Sequence, residues 1–252
     1  MLKKSIILVV SLCGLFFIQS VWAKKDTSYQ QVSDPLESVN RAIWDFNYNY
    51  LDKPIYRPVV HSYVHYIPEG ARRSSNNFMR NLEEPMSMVN NLLQFKFKAA
   101  VNNLMRFAFN STFGLFGLID VMGRAGVQRN LSDFSDVLGH YGVGDGPYLM
   151  LPFIGPSTPR QLAGDLVDQF YFPMNQLSLV EKLVRFTVNG VNERASVINQ
   201  EALVDGSLDS YSFVKNAYMQ YRRYRYYDGH PPAEPSSTDI DMSKYMNEIE
   251  GN

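Results

Sequence analysis

LSLVEKLVRFTVNGVNERASV, residues 177–197, carries the clearest helical signature in the chain. Leu179, Val180, Leu183, Val184, Phe186, Val188 and Val191 are apolar, while Ser178, Lys182, Arg185, Asn189, Asn192 and Ser196 recur at steps of three and four. A period near 3.6 residues separates these two sets onto different faces of one α-helix.

The same pattern repeats on both sides of this run. Downstream, a helix is predicted from about Ser210 to Tyr227, ending in the tyrosine- and arginine-rich run 221–227. Upstream, Asp34-Pro35 is read as an N-cap followed by a first-turn proline. Leu36, Val39, Ile43, Phe46 and Tyr50 then form an apolar stripe. Pro54 and Pro58 are expected to interrupt the chain before residues 59–67, and Pro68 to Gly70 to break it again. Helical segments follow over about 72–82 and 85–95. Next, Phe97, Ala100, Val101, Leu104, Phe107 and Ala108 oppose Lys98, Asn102, Asn103 and Arg106. Between Ala99 and Gly123 the only formal charges are Arg106 and Asp120. The asparagines make this stretch too polar for a simple spanning helix; it suits a buried helix pair or one lying in a membrane interface.

One segment departs from the helical pattern. Gly139, Gly142, Gly144, Gly146 and Gly155 alternate with Pro147, Pro152, Pro156 and Pro159 around the apolar run 148–154. It reads as a hairpin or an ordered loop, serving either as core or as a membrane-dipping or gating element. The fold class is therefore all-α with one Gly/Pro-rich irregular insertion.

The two ends differ from this domain. Lys3 and Lys4 precede an apolar run from Ile6 to Ile18, and Val21 and Ala23 fit the small-residue positions of a signal-peptidase site. Residues 1–23 are read as a signal peptide, since about 13 apolar residues fall short of the ~20 that a spanning helix needs. Cys13, the single cysteine, lies inside the apolar core behind the bulky Leu12, a poor setting for lipidation. Residues 24–33 are a polar linker, 34–227 the helical domain, and 228–252 a disordered acidic tail. The formal charge of −1 argues against nucleic acid as a partner. Loss of Lys3 and Lys4 leaves 22 basic against 25 acidic residues, a formal −3.

Reactive constellations are scarce. The chain lacks a Gly-x-Ser-x-Gly elbow, a His-Glu-x-x-His pair and a phosphate loop. His61 and His65 are four apart without a third ligand type nearby, so no metal or other cofactor is expected. Asp133, Asp136, Asp165 and Asp168 are read as caps and solvated side chains, not as catalytic groups. The stripe through Lys182, Arg185 and Asn189 is either a wet helix face or the wall of an aqueous path. In the second reading Arg185 meets phosphate, which a guanidinium suits by offering several donors. The 221–227 run is either an interfacial belt or a solvated helix end.

Several runs together resemble the MlaA/VacJ family. They are Asp34-Pro35-Leu36-Glu37-Ser38-Val39-Asn40-Arg41; Asn77-Phe78 with Asn81-Leu82-Glu83-Glu84-Pro85; Arg106-Phe107 with Asn110, Thr112, Gly114, Gly117 and Asp120; and Leu138-Gly139-His140-Tyr141-Gly142-Val143-Gly144 with Gly146-Pro147-Tyr148. The resemblance implies a ring-like arrangement of amphipathic helices on the periplasmic side of the outer membrane, associated with trimeric porins. It implies removal of misplaced phospholipid from the outer leaflet through an amphipathic channel to a periplasmic lipid-carrier protein, without enzymatic chemistry. Lys182, Arg185 and Asn189 are then candidates to line the lipid path. Tyr141, Gly142, Gly144, Gly146, Pro147 and Tyr148 are candidates to shape or gate it. The alternative function is a porin-associated structural envelope protein that transports nothing.

Overall fold

The computed structural model describes residues 34–232, so the stretches read as signal peptide and polar linker, and all but the first residues of the stretch read as an acidic tail, lie outside the described residues. The described chain is all-α apart from one small hairpin. Its elements are α1 (Glu37–Asp45), a π-helical segment (Phe46–Tyr56), α2 (Arg57–Tyr66), α3 (Glu69–Leu93), α4 (Phe97–Thr112), α5 (Val121–Arg124) and α6 (Phe134–His140). The hairpin strands β1 (Leu149–Leu151) and β2 (Gly155–Ser157) follow, then α7 (Pro159–Asp168), α8 (Leu179–Ser196), α9 (Glu201–Asp205) and α10 (Ser210–Tyr226).

Local chemistry accounts for most of the helix starts. Ser178 and Glu181 form a reciprocal capping box at α8, and Asp133 and Asp136 form one at α6. Thr158 caps α7 with Pro159 in its first turn, and Asp209 caps α10. The antiparallel hairpin pairs Leu149 with Ser157, Met150 with Pro156 and Leu151 with Gly155. The Gly/Pro-rich insertion is thus a hairpin.

Three local expectations fail, each for an identifiable reason. Asp34 does not cap α1, whose N-cap is Leu36. Its carboxylate instead accepts from Asn40 Nδ2 at 2.8 Å, Tyr211 OH at 2.5 Å and Lys215 Nζ at 2.9 Å. Three donors, two of them from α10, outcompete the cap. Pro54 and Pro58 do not interrupt the chain: Pro54 lies within the π-helical segment and Pro58 in the first turn of α2. The wider winding tolerates a residue that cannot donate, and a first-turn proline removes no internal bond. Pro85 likewise sits inside one continuous α3 rather than between two helices. Buried contacts of Asn81, Glu84 and Asn90 on either side outweigh the single lost helical bond.

Neighbouring elements close a ring. α1 leads through the π-helical segment to α2, which packs on α8; α8 meets α3, α3 meets α6, α6 meets α10, α10 meets β2, and β1 returns to α1. α4 packs along α3, and α7 along α6. The ring has only a small hydrophobic core, in which Tyr148, Met150 and Tyr211 pack with Ile43, Trp44, Tyr218 and Met219. Elsewhere the usual polarity is reversed. Asn103, Arg106 and Asn110 of α4 are buried, while Phe97, Val101, Leu104, Met105 and Phe109 of the same helix are exposed. In α8 the apolar Leu179, Val180, Leu183, Val184 and Phe186 are all more than half exposed, whereas Lys182, Arg185 and Asn189 are half-buried. No described helix is long and apolar enough to cross a membrane.

Asp168 illustrates the polar interior. It is buried and accepts from the Phe134 N–H at 3.1 Å and Asn90 Nδ2 at 3.1 Å. Burial pushes its carboxyl up to about 7, with Asp133 and Asp165 adding to the rise against those two hydrogen bonds. A raised folded pKa stabilises below the ordinary value of 3.8, and that stabilisation is lost as pH rises through 7. Asp168→Asn is therefore expected to flatten the pH dependence of unfolding. At pH 8 it should unfold later than the parent by roughly 1–3 kcal/mol, since each pKa unit is worth ~1.4 kcal/mol and the amide places one donor poorly. Denaturant titrations in detergent at pH 5 and pH 8 check this; equal or lower stability of the variant at pH 8 would contradict it.

Candidate functional site

The buried and half-buried polar side chains assemble into three clusters around the ring. In the first, Glu84 of α3 is buried and accepts from Arg106 Nε at 2.9 Å and Asn103 Nδ2 at 2.5 Å, both from α4. Arg106 also binds Asp120 at 2.9 Å, and that carboxylate is the N-cap of α5. Glu83 faces two cations, Arg129 at 2.7 Å and Arg185 of α8 at 2.9 Å. The Arg129 Nε also lies 3.3 Å from Glu84, an ion pair without hydrogen-bond geometry.

Arg185 is therefore neither fully solvated nor free. One edge of its guanidinium holds Glu83, while its Nε is shielded and without a partner. Lys182, one turn earlier, has no carboxylate within ion-pairing distance among the described residues. Asn189 lies one turn beyond Arg185 on the same half-buried face, and Asn192 continues the stripe by accepting from Tyr63 OH of α2 at 2.8 Å. Glu193 is open to solvent, yet the surrounding protein and Glu83 push its carboxyl up, against the pull of Arg185 and Arg80. The three lipid-path candidates thus share one half-buried face of α8.

The second cluster joins α6, α7 and α10. Arg225 binds Asp133 at 2.9 Å and also contacts Asp136. Arg222 is buried and donates to Ser135 Oγ at 3.0 Å and to Gln161 Oε1. Both arginines are thus committed inward, while Tyr221, Tyr224 and Tyr226 of the same run are exposed. Asp133, Asp136 and Asp168 are not solvated carboxylates; arginines and helix-start N–H groups hold them. Asp165 is open to solvent, but burial around it pushes its carboxyl up despite a 2.6 Å bond from Gln161.

This cluster also tethers the proposed gating segment. Arg160 donates to the Val143 carbonyl at 2.6 Å and pairs with Asp145 at 2.7 Å. Tyr141 OH donates to the Leu93 carbonyl at 2.8 Å. Gly142 and Gly146 have φ of 88° and 76°, where a side chain would be strained, and Gly146 faces Pro159. Gly144 has open space around it. Pro147 leads into Tyr148, whose ring is fully buried against Tyr211 and Tyr218. Asn40 completes the anchor, donating to the Tyr148 carbonyl at 3.1 Å and accepting from Met150 N at 2.9 Å. Tyr148 is an anchor of the segment, not a side chain facing a passage. It lies in a different sector from Arg185.

The third cluster binds α2 and the π-helical segment to α8 and α9. Asp52 pairs with Arg57 at 2.7 Å and Arg194 at 2.8 Å, and Arg57 with Asp205 at 2.7 Å. His61 faces Glu201 at 3.1 Å rather than His65, and among the described residues no cluster could hold a metal ion.

Sequence reasoning missed Glu83, Glu84 and Arg106 as the centre of a polar cluster joining α3, α4 and α8, although all three lie in motifs it quoted. The available signal was the spacing of Asn103, Arg106 and Asn110, a second polar stripe opposite an uncharged face.

Comparison with known proteins gives a consistent result. The sequence profile of the family described as MlaA lipoprotein matches residues 32–225. The chain is 40% identical over 201 residues to the intermembrane phospholipid transport system lipoprotein MlaA of Escherichia coli strain K12, covering 79% of this chain and 80% of that one. The protein of the same name from Haemophilus influenzae is 34% identical over 216 residues, covering 84% and 86%. A solved structure, from work on the structural basis for maintenance of bacterial outer membrane lipid asymmetry, matches with a TM-score of 0.73. It shares 40% identity and covers 77% of this chain and 99% of that one.

Proposed function

Because this chain belongs to the MlaA lipoprotein family, we propose that it is an outer-membrane component of intermembrane phospholipid transport. In this reading it takes mislocalised phospholipid from the outer leaflet through the middle of its ring and passes it to a periplasmic lipid carrier. Its role is physical transfer without covalent chemistry. The observation that carries the reading is the reversed polarity of the ring. Apolar side chains of α1, α4 and α8 are exposed, while Glu84, Asn103 and Arg106 are buried and Arg185 is half-buried.

That polarity suits a ring lying within one leaflet. α4 has 16 residues, a length of roughly 24 Å against a hydrocarbon core of ~30 Å. Covering the five exposed apolar side chains of α8 with acyl chains contributes on the order of 5 kcal/mol, since each gains only part of a full burial energy. Interfacial helices bind membranes by this same term. Trimeric porins would occupy part of the outer surface. Cleavage after Ala23 without lipid on Cys13 remains part of the proposal.

Headgroups would pass along the half-buried polar face of Lys182, Arg185 and Asn189, with acyl chains following apolar wall. Lys182 offers an unpaired ammonium there, and Arg185 can exchange Glu83 for a phosphate because Arg129 still neutralises that carboxylate. The segment Tyr141–Pro147 would shape the passage from the other side, held in place by Tyr148.

Charge reversal at Arg185 would set a new carboxylate beside Glu83 and Glu193, confusing folding with transport. Arg185→Gln is the cleaner test. Cells carrying it are expected to show normal protein levels but raised outer-leaflet phospholipid, measured by labelling surface-exposed amino-phospholipid. Parental asymmetry at equal protein level would remove Arg185 from the path.

A further inference from the structure

Among the described residues, five besides glycine have positive φ, and four of these are large and apolar: Phe95 (60°), Leu115 (52°), Phe116 (57°) and Phe153 (66°). Left-handed backbone crowds the Cβ of such residues, and turns that need it ordinarily take glycine or asparagine. Strain of this kind is retained when the side chain is needed where it stands. Core packing is not the need, because the four are 67%, 61%, 77% and 66% exposed, respectively.

The turns that carry them are firmly built. Phe116 N donates to the Ser111 carbonyl at 3.1 Å and Gly117 N to the Asn110 carbonyl at 2.8 Å. Gly117 lies so close to Asn81 of α3 that a Cβ would stand 2.5 Å from it. Phe95 N donates to the Leu92 carbonyl at 3.0 Å, and Phe153 N to Asn47 Oδ1 at 3.0 Å. Apolar side chains adjoin each of them, although Lys96 and Lys98 also lie next to Phe95. Phe113 and Leu118 flank the 115–116 pair, no formal charge lies between Phe107 and Ile119, Phe97 adjoins Phe95, and Phe46 adjoins Phe153.

These turns are also spread around the ring. Two sit at opposite ends of α4, and the third is the hairpin tip beside α1. A single protein partner covers one sector of such a ring, whereas a lipid leaflet surrounds it. We propose that Phe95, Leu115, Phe116 and Phe153 are rigid hydrocarbon anchors, held outward by strained turns and inserted among the acyl chains of the surrounding leaflet. This rests on the reading that the ring sits in a membrane. It adds which residues fix its seat there.

Anchoring separates two quantities that normally move together. Glycine at 115 and 116 relieves the strain and deletes the anchor. A core residue would lose stability on such a change, and an idle surface residue would lose nothing. An anchor loses membrane affinity only. Full-length protein and its Leu115→Gly/Phe116→Gly variant are compared by thermal unfolding in detergent and by partitioning onto phosphatidylethanolamine/phosphatidylglycerol vesicles. The variant is expected to unfold no earlier than the parent, while its partition coefficient falls roughly tenfold, a fraction of the transfer energy of the two side chains. In parallel, the fluorescence that Phe116→Trp adds to that of the parent, which already carries Trp44, is expected to be quenched by phospholipids brominated along the acyl chain. Unchanged partitioning of the glycine variant, with the parent still bound, overturns the anchors but leaves the membrane reading intact. A parent that does not bind vesicles overturns both. Earlier unfolding of the glycine variant assigns the turn to folding instead. An indole at position 116 that bromine does not reach, but added porin shields, assigns the turn to a protein interface.

Discussion

Glu84→Ala is expected to lower the unfolding free energy by about 3–5 kcal/mol, the range seen when one partner of a buried ion pair is deleted. Glu84 is 1% exposed and serves Arg106, Asn103 and Arg129 together. Its removal leaves the Nε of the buried Arg106 without an acceptor, Asp120 and the Val127 carbonyl holding only the other nitrogens, and strips the Asn103 amide of its acceptor. An unsatisfied buried polar group adds about 1–3 kcal/mol, so the loss should not fall below the lower figure. α3 and α4 would separate first, because this carboxylate is what α4 directs its buried face toward. Glu84→Gln keeps the acceptor and the volume, and should lose less. Urea titration in detergent distinguishes the two; a Glu84→Ala protein as stable as the parent would mean that water or relaxation replaces the wall.

Arg225→Met should have a comparable effect and a distinctive pH dependence. Arg225 holds Asp133 and Asp136 together at the start of α6. Burial pushes the Asp136 carboxyl up and Asp133 adds to the rise, while Asp133 is itself held low, with burial opposed by Arg225 and other donors. Without the guanidinium, two adjacent carboxylates lose their main counter-charge, and the folded pKa of one must climb further. A carboxyl with a raised folded pKa stabilises at low pH and loses that contribution as pH rises through its folded value. The variant is expected to be destabilised by about 3–5 kcal/mol at pH 8 and by clearly less at pH 5.5. Unfolding midpoints at the two pH values check the sign. A loss equal at both would mean that Arg225 matters through packing of its stem and not its charge.

Periodicity made the helices legible, and composition marked the hairpin. Leu177–Val197 was readable as one helix because its apolar positions fall every three or four residues and Ser178 with Glu181 supplies a capping box. Gly142, Gly146 and the prolines around residues 147–159 left no regular helix possible there. What periodicity does not carry is which face points inward. Asn103 and Arg106 read equally well as a wet face or a buried one, and only the packing of α3 on α4 makes them interior. Prolines misled for a related reason. Pro54 and Pro85 have strong local preferences, but contacts distant in sequence, such as Asp52 with Arg194 and Asn81 with Ser111, hold the helices through them. The Arg185 candidate followed from its stripe, whereas its pairing with Glu83, 102 residues away, has no local signal. Tyr148 was singled out with its glycine-rich neighbours because the motif is continuous, and its burial depends on Tyr211 and Tyr218 from the far end of the chain.

The most direct test of transport is the amount of phospholipid exposed in the outer leaflet of cells lacking this gene, with and without a plasmid-borne copy. Lipid passage through the ring predicts accumulation in the deletion strain and its reversal by the parental gene, with the Arg185→Gln copy reversing it incompletely. Normal asymmetry in the deletion strain, with altered porin assembly, would contradict transport and make the ring a structural partner of porins.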